Sequence, residues 1–305
     1  MGDKVRLSVV IAALDAGETI GNQLAALASQ RWSQPWEVVV ADNGSSDRTR
    51  DVVESFRGRL PALQIVDAGE RRGVAFARNR GVESAAGELL AFCDADDEVA
   101  GGWVAAMGDA LAQHPAVAGR VDTDSLNPPW LATLRGHPQA EGLMPFGDQP
   151  PFAGGGNLGV RREVHEAIGG FDEDFGLLAE DTDYCWRIQA AGWTLGFEPG
   201  AVVAYRLRPE LSAIFRQART YASGYVALYA KYRSAFPRQR HPWMSGVASW
   251  IGVLRHLPIL PTRLRLGAFA WQLGWKVGML QASARYRLPL FSVRGLPFPG
   301  MPGPA

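Results

Sequence analysis

The chain has 305 residues, 47% of them hydrophobic and 20% charged, enough for one large globular domain or two small ones with a sizeable core. Its two cysteines, Cys93 and Cys185, exclude a disulfide framework, and neither has a Cys or His neighbour at zinc-ligand spacing. The net charge of zero hides a split: residues 1–203 hold 16 Lys/Arg against 30 Asp/Glu, whereas residues 204–305 hold 15 Lys/Arg against Glu210 alone.

In chain order, Leu7 to Ala13 reads as a buried strand, and Glu18 to Gln30 as a helix with Ile20, Leu24 and Leu27 on one face. Glu37 to Ala41 repeats the strand, Asp42-Asn43-Gly44 turns, and Ser45 or Ser46 is placed to cap a helix carrying Val52, Val53 and Phe56. Leu63 to Val66 is a third strand, Gly73 to Ala85 a helix, and Leu89 to Cys93 a fourth strand. This alternation predicts an α/β fold with a doubly wound, mostly parallel sheet and helices on both faces. In such sheets ligands bind beyond the carboxyl ends of the strands, where Asp15, Asp42 and Asp94 fall.

A helix is expected from Gly102 to Gln113. The Pro- and Gly-rich stretch from Val117 to Phe152 reads as loop and connector. Helices follow near Arg162 to Ile168, from Glu180, and amphipathically from Leu211 to Arg233.

The run Cys93-Asp94-Ala95-Asp96-Asp97 sits where an apolar strand gives out. Oxygen-only ligands suit Mg²⁺, which takes one or two carboxylates and leaves the rest of its shell to phosphates and water. The run therefore points to a divalent cation and a nucleoside diphosphate.

The basic C-terminal part also carries Trp243, Trp250, Trp271 and Trp275, a mixture that suits an anionic membrane surface and that nucleic acid can use as well. Trp243 to Leu260 is interrupted by Arg255, His256 and Pro258, and Leu264 to Leu280 by Arg265 and Lys276, so no span is expected. The start, Met1 to Arg6, shows no apolar signal core. The expectation is a cytoplasmic protein, peripheral at the inner face of the membrane.

Several ordered motifs carry a resemblance. They are Ser8-Val9-Val10-Ile11 with Asp15 and Glu18, Val39 to Asp47, Gly73 with Ala77-Arg78-Asn79 and Gly81, and Gly87-Glu88 leading to Asp94-Ala95-Asp96-Asp97. Gly169-Gly170-Phe171-Asp172-Glu173 and Glu180-Asp181-Thr182-Asp183 with Arg187 follow. Over residues 6 to 233 the chain resembles an inverting family-2 glycosyltransferase of the GT-A fold. The resemblance implies a nucleotide-sugar-binding half over 1–116, an acceptor-binding and catalytic half over 117–210, and a basic aromatic helical extension over 211–305.

It also implies residue roles. Asp42 would read the donor base, Asp94 would face the ribose, Asp96 would hold Mg²⁺ or Mn²⁺ on the diphosphate, and Asp181 would be the general base. Asp15 and Arg78 join the donor side, while Glu180, Asp183, Arg187 and Asn157 are assigned to the acceptor or its surroundings. One carboxylate that accepts a proton and attacks nothing means single displacement with inversion at the anomeric carbon. The expected partners are a nucleoside diphosphate sugar and a glycan, lipid-linked or small-molecule acceptor, with no nucleic acid. For Glu180 and Asp181 the plain alternative is helix capping, and for Arg187 an intrahelical salt bridge with Asp183.

The chain departs from the family pattern twice. Ala12-Ala13-Leu14-Asp15 replaces a turn with Tyr-Asn, which removes an aromatic base contact, and Tyr205 stands where a metal-binding His is usual. Gly154 to Gly159 spells G-x-G-x-x-G, but Pro150-Pro151-Phe152-Ala153 before it is no buried strand; the glycines are expected to let the backbone pass close to the donor. The five histidines show no ligand spacing. Two other readings stay open: a binding module of the same fold without chemistry, and a nucleotidyltransferase, which would need a Gly-rich basic loop where Ala13 to Gly17 stands.

Overall fold

The computed structural model describes residues 4–175, 179–235 and 262–288. Apolar runs rich in Val, Leu and Ala form the four parallel strands β1 (Leu7–Ala13), β2 (Trp36–Asp42), β3 (Leu63–Asp67) and β4 (Leu89–Asp94). After them come β5 (Glu98–Val99), β6 (Ala116–Asp122), the small hairpin of β7 (Met144–Phe146) and β8 (Gln149–Phe152), β9 (Asn157–Arg161) and β10 (Leu195–Ala204). The main sheet has the order β3-β2-β1-β4-β9-β6-β10-β5. In it β9 runs antiparallel to both β4 and β6, and β5 antiparallel to β10.

Side chains of a strand alternate between faces, and both faces are apolar here. Val9 and Ile11 enter one core layer with Leu24, Val38, Val40 and Trp103, while Val10 enters the other with Val39, Phe92, Leu158 and Tyr184. The helices that cover the sheet are α1 (Ile20–Ala28), α2 (Thr49–Glu54), α3 (Val74–Ser84), α4 (Trp103–Gln113), α6 (Arg162–Ala167) and α7 (Glu180–Ala190). Register brings Asp42 beside Ala13 and Asp94 level with Ala12, so the acidic strand ends share one rim.

Three expectations are corrected. The stretch from Val117 to Phe152 is not a plain connector: it holds most of β6, the helix α5 (Pro129–Arg135) and the β7–β8 hairpin. Helix α2 is capped by neither Ser45 nor Ser46; Asp47 Oδ1 accepts from the Thr49 amide at 2.9 Å instead. The third concerns Trp271 and Trp275 on α9 (Arg263–Arg285), which do not face outward. Both are buried against α8 (Leu211–Lys231), Trp271 edge-on to Tyr221 at 5.8 Å and Trp275 beside Tyr225 at 5.3 Å. Trp243 and Trp250 lie outside the described residues. No helix among the described residues is long and apolar enough to cross a membrane.

Glycine sets the spacing of α9 on α8. A Cβ on Gly274 would lie 2.3 Å from the Phe215 carbonyl oxygen, and one on Gly278 2.2 Å from that of Arg219. Because backbone cannot swing aside as a side chain can, Gly278→Val is expected to destabilise the protein by about 2–3 kcal/mol through overpacking. A lowered midpoint in a thermal or urea melt, with the equivalent change at the open Gly101 as reference, checks this.

Candidate active site

The carboxyl ends of β1 and β4 and the start of α7 open on a cleft of about 960 Å³. Asp15, Arg78, Asp94, Asp96, Asp97, Asn157, Glu180 and Asp181 all line it. Asp42, Asp183 and Arg187 do not.

Arg78 on α3 is the centre of the cleft floor. Its guanidinium is buried and reaches Asp94 Oδ1 at 2.9 Å and Glu180 Oε1 at 2.8 Å, so one cation joins the end of β4 to the start of α7. Burial would favour loss of its proton, but the charges of Asp94, Glu180 and Asp181 raise its pKa further. The glycine run before β9 makes this possible. A Cβ on Gly155 would meet Arg78 Nη1 at 2.4 Å, and one on Gly156 would meet Asp94 Oδ2 at 2.5 Å. The close approach expected of these glycines is therefore toward Arg78 and Asp94.

Asp181 accepts from the Thr182 amide at 2.7 Å and the Gly155 amide at 3.1 Å. Burial raises its carboxyl above the ordinary range, with Arg78 and the two amides pulling the other way. Glu180, more deeply buried, is pushed up to about 8 by burial and then by the Asp181 charge, against the pull of Arg78. Both oxygens of Asp181 are held by amides.

Asp94, Asp96 and Asp97 bring one carboxylate oxygen each within 4.8 Å of one another. Asp97 Oδ1 accepts from the Arg206 amide at 2.8 Å, while its buried Oδ2 has no hydrogen-bond partner among the described residues. Burial, then the Asp94 charge, raises both Asp96 and Asp97. Oxygen-only donors, an orphaned carboxylate oxygen and carboxyls raised by burial and by one another's charge fit a hard divalent cation. The sequence places Asp97 in the same cation-binding run, while the resemblance gives the metal to Asp96 alone. Arg208 approaches Asp96 Oδ2 at 3.3 Å, close to where the departure at Tyr205 falls.

Asp15 sits at the rim in the left-handed region, at φ 47°, where its Oδ1 accepts from the Ser46 amide at 2.7 Å. Asp42 is buried at the end of β2. Burial pushes its carboxyl up, but hydrogen bonds from Ser45 and Arg50 outweigh this and hold it below the usual range. Its oxygens are occupied by those two partners.

Asn157 is committed to the sheet. It accepts from Trp103 Nε1 at 2.9 Å and donates to the carbonyls of Arg120 and Ala201, both at 2.8 Å. Asp183 is buried under Arg187 at 2.7 Å, Lys231 at 2.5 Å and the Tyr232 hydroxyl at 2.6 Å, tying α7 to the end of α8. The intrahelical salt bridge is therefore what Arg187 makes. His165 is buried against Tyr184 at 2.8 Å, and burial lowers its pKa to about 4.

The opposite wall is built by the end of α5, by Tyr205, which the sequence marks as a departure, and by Arg216, Tyr221 and Tyr225 of α8. Tyr205 is raised well above the ordinary tyrosine range by the neighbouring Tyr221 and by burial. It therefore stays a neutral phenol.

Known proteins resemble this chain along most of its length. The model for glycosyl transferase family 2 matches residues 8–169, and that for glycosyl transferase family group 2 matches residues 108–296. Glycosyltransferase AglE of Haloferax volcanii is 28% identical over 206 residues, 67% of this chain and 67% of that protein. A validoxylamine A glucosyltransferase of Streptomyces hygroscopicus is 31% identical over 221 residues, 61% of this chain and 52% of that one. Across the curated relatives the match spans from 26% to 67% of the relative's own length. Among solved structures, the mannosyltransferase PcManGT from Pyrobaculum calidifontis, in complex with GDP-Man and Mn²⁺, superposes with a TM-score of 0.57 at 23% identity, covering 93% of this chain and 76% of that one. With the family model reaching across more than half of the residues, the acidic strand ends and the start of α7 included between the two matches, the chain belongs to glycosyl transferase family 2 and has the GT-A fold.

Proposed function

We propose that the chain moves a sugar from a nucleoside diphosphate sugar to an acceptor hydroxyl with inversion, Asp181 taking the hydroxyl proton. The observation that carries this reading is the placement in one cleft of a cation-type carboxylate cluster and the separately held Asp181, with Arg78 joining Asp94 to Glu180, the neighbour of Asp181. Sugar transfer needs both a stabilised diphosphate leaving group and a deprotonated nucleophile. Mg²⁺ or Mn²⁺ held by Asp94, Asp96 and Asp97 would supply the first by neutralising the departing phosphates. The GDP-Man and Mn²⁺ in the PcManGT complex support this donor class and this type of cation.

Within this reading Arg78 holds Asp94 and Glu180 in place. Asp15 lies where the nucleoside would enter, and Asp42 fixes the turn at Ser45 and the Arg50 side chain beside it. The amides of Gly155 and Thr182 fix the Asp181 carboxylate so that a lone pair is presented without reorganisation. The acceptor, a glycan, a lipid-linked sugar or a small molecule, enters from the wall of α5 and α8.

A second reading, a binding module of the same fold, is favoured by one contact: Arg208 already neutralises part of the Asp96 charge. Asp181→Asn separates the two. It keeps the shape and removes the base, so sugar transfer should fall by about 10²–10⁴-fold while donor affinity changes little. A pure binding module would be indifferent to it.

Asp96→Ala should abolish the stimulation of nucleoside diphosphate release by Mg²⁺ or Mn²⁺, and EDTA should do the same to the unaltered protein. Release across UDP-, GDP- and dTDP-sugars measures this and names the donor.

The pH dependence follows from the raised Asp181 carboxyl. A base works only when ionised, so the rate should rise with pH and level off once Asp181 has lost its proton, at a pH above the ordinary aspartate value of 3.8. A profile of kcat/KM against pH that is flat down to that value would remove Asp181 from the role.

A further inference from the structure

Arg135, the last residue of α5, is 93% buried, being only 7% exposed, and still lines the cleft. Its guanidinium lies 3.9 Å from the centre of the Trp271 ring on α9 and 5.5 Å from that of Tyr221 on α8. Nε and Nη1 have no hydrogen-bond partner, and no carboxylate pairs with the group, among the described residues. Arg78, the other buried arginine, is bound by two carboxylates.

An arginine is permanently charged, and burying its charge without a partner is costly. Stacking on Trp271 and Tyr221 recovers part of that cost but leaves the donors unused. If packing were the whole role, an apolar side chain of similar volume would fill the space at less cost. The other groups around it do not solve the problem. Its charge acts on the phenols of Tyr205 and Tyr225, which burial and their neighbours keep neutral. Arg216, exposed on α8, adds a second positive charge to the same wall. The cleft thus has an acidic end at Asp94, Asp96, Asp97 and Asp181 and a basic end at Arg135 and Arg216.

We propose that Arg135, with Arg216, forms an oxyanion subsite that binds a phosphate or carboxylate group carried by the acceptor. This rests on the glycosyl transfer proposed above and narrows its acceptor to an anionic one. The oxyanion answers the uncompensated charge of the guanidinium and accepts from the part of Arg135 that lines the cleft, a charge-assisted hydrogen bond stronger than that of a neutral pair. The acceptor hydroxyl then lies toward Asp181, and the anion is held away from the carboxylates that would repel it.

Calorimetric titration of the full chain with two matched pairs tests this: glycerol 1-phosphate against glycerol, and glucuronate against glucose. At least one anion should bind about tenfold or more tightly than its neutral partner. Arg135→Gln should erase that preference and Arg135→Lys keep part of it. Arg216→Gln, at an exposed position where folding is not at stake, should weaken the favoured anion by about threefold with an unchanged thermal melt. A preference for glycerol 1-phosphate makes the acceptor a phosphate ester; one for glucuronate makes it an acidic sugar; equal preference leaves an oxyanion site serving both. No preference in the unaltered protein overturns the subsite, as does a preference that survives in folded Arg135→Gln or, where that variant does not fold, an anion affinity left unchanged by Arg216→Gln. Donor diphosphate release followed alongside keeps the two readings apart. Its absence from every donor sinks the glycosyl transfer while anion binding stands, and release with indifferent anion binding sinks the subsite alone.

Discussion

The arrangement of the cleft depends on one buried cation. Arg78 is held at 2.9 Å from Asp94 and 2.8 Å from Glu180, and these two carboxylates come from opposite halves of the domain, one from the parallel strands and one from the helix after the Gly-Gly turn. Without that charge, Asp94, Glu180 and Asp181 would sit together in a low-dielectric floor and repel one another. Removing one partner of a buried pair costs far more than the pair contributes, so the site is held together by a constraint that tolerates little variation. The glycines at 155 and 156 are part of it, since any side chain there would occupy the space of Arg78 or Asp94.

Around that joint the charges sort by position. Asp94, Asp96 and Asp97 gather at the strand ends, where a cation is expected, and the basic surplus that follows residue 203 sets Arg206 and Arg208 beside them and Arg216 on the facing wall. Three of the basic residues after residue 203 thus face the acidic cleft, and Trp271 and Trp275, two of the four tryptophans of that part, serve the packing of α9 on α8.

Much of the fold was legible because the first four strands are continuous apolar runs and the helices between them have clean periodicity. Strands β6 and β9 were hidden for a physical reason. Gly119 and Gly159 sit within them because a Cβ would strike Asn157 and Ala201 in one case and Met107 in the other, so strands that must pack closely resemble loop in composition. In the cleft, Asp94, Asp96, Arg78 and Asp181 came from local motifs that keep their spacing in the fold. Asn157, Asp183 and Arg187 carry the same polar chemistry yet are consumed by Trp103, Lys231 and one another, which only tertiary contacts reveal. Arg135 offered no signal at all. A lone arginine among prolines becomes notable only when α8 and α9 close over it.

The glycine contacts between α8 and α9 bear on how that wall behaves under load. At Gly274 and Gly278 the backbone of one helix touches the backbone of the other, with no layer of side chains between them to compress or reorient. The pair has the stiffness of a single slab. A surface helix that might have yielded to fit many shapes is thereby made a fixed template, and what the cleft accepts on that side is decided by outline and charge already in place before anything arrives.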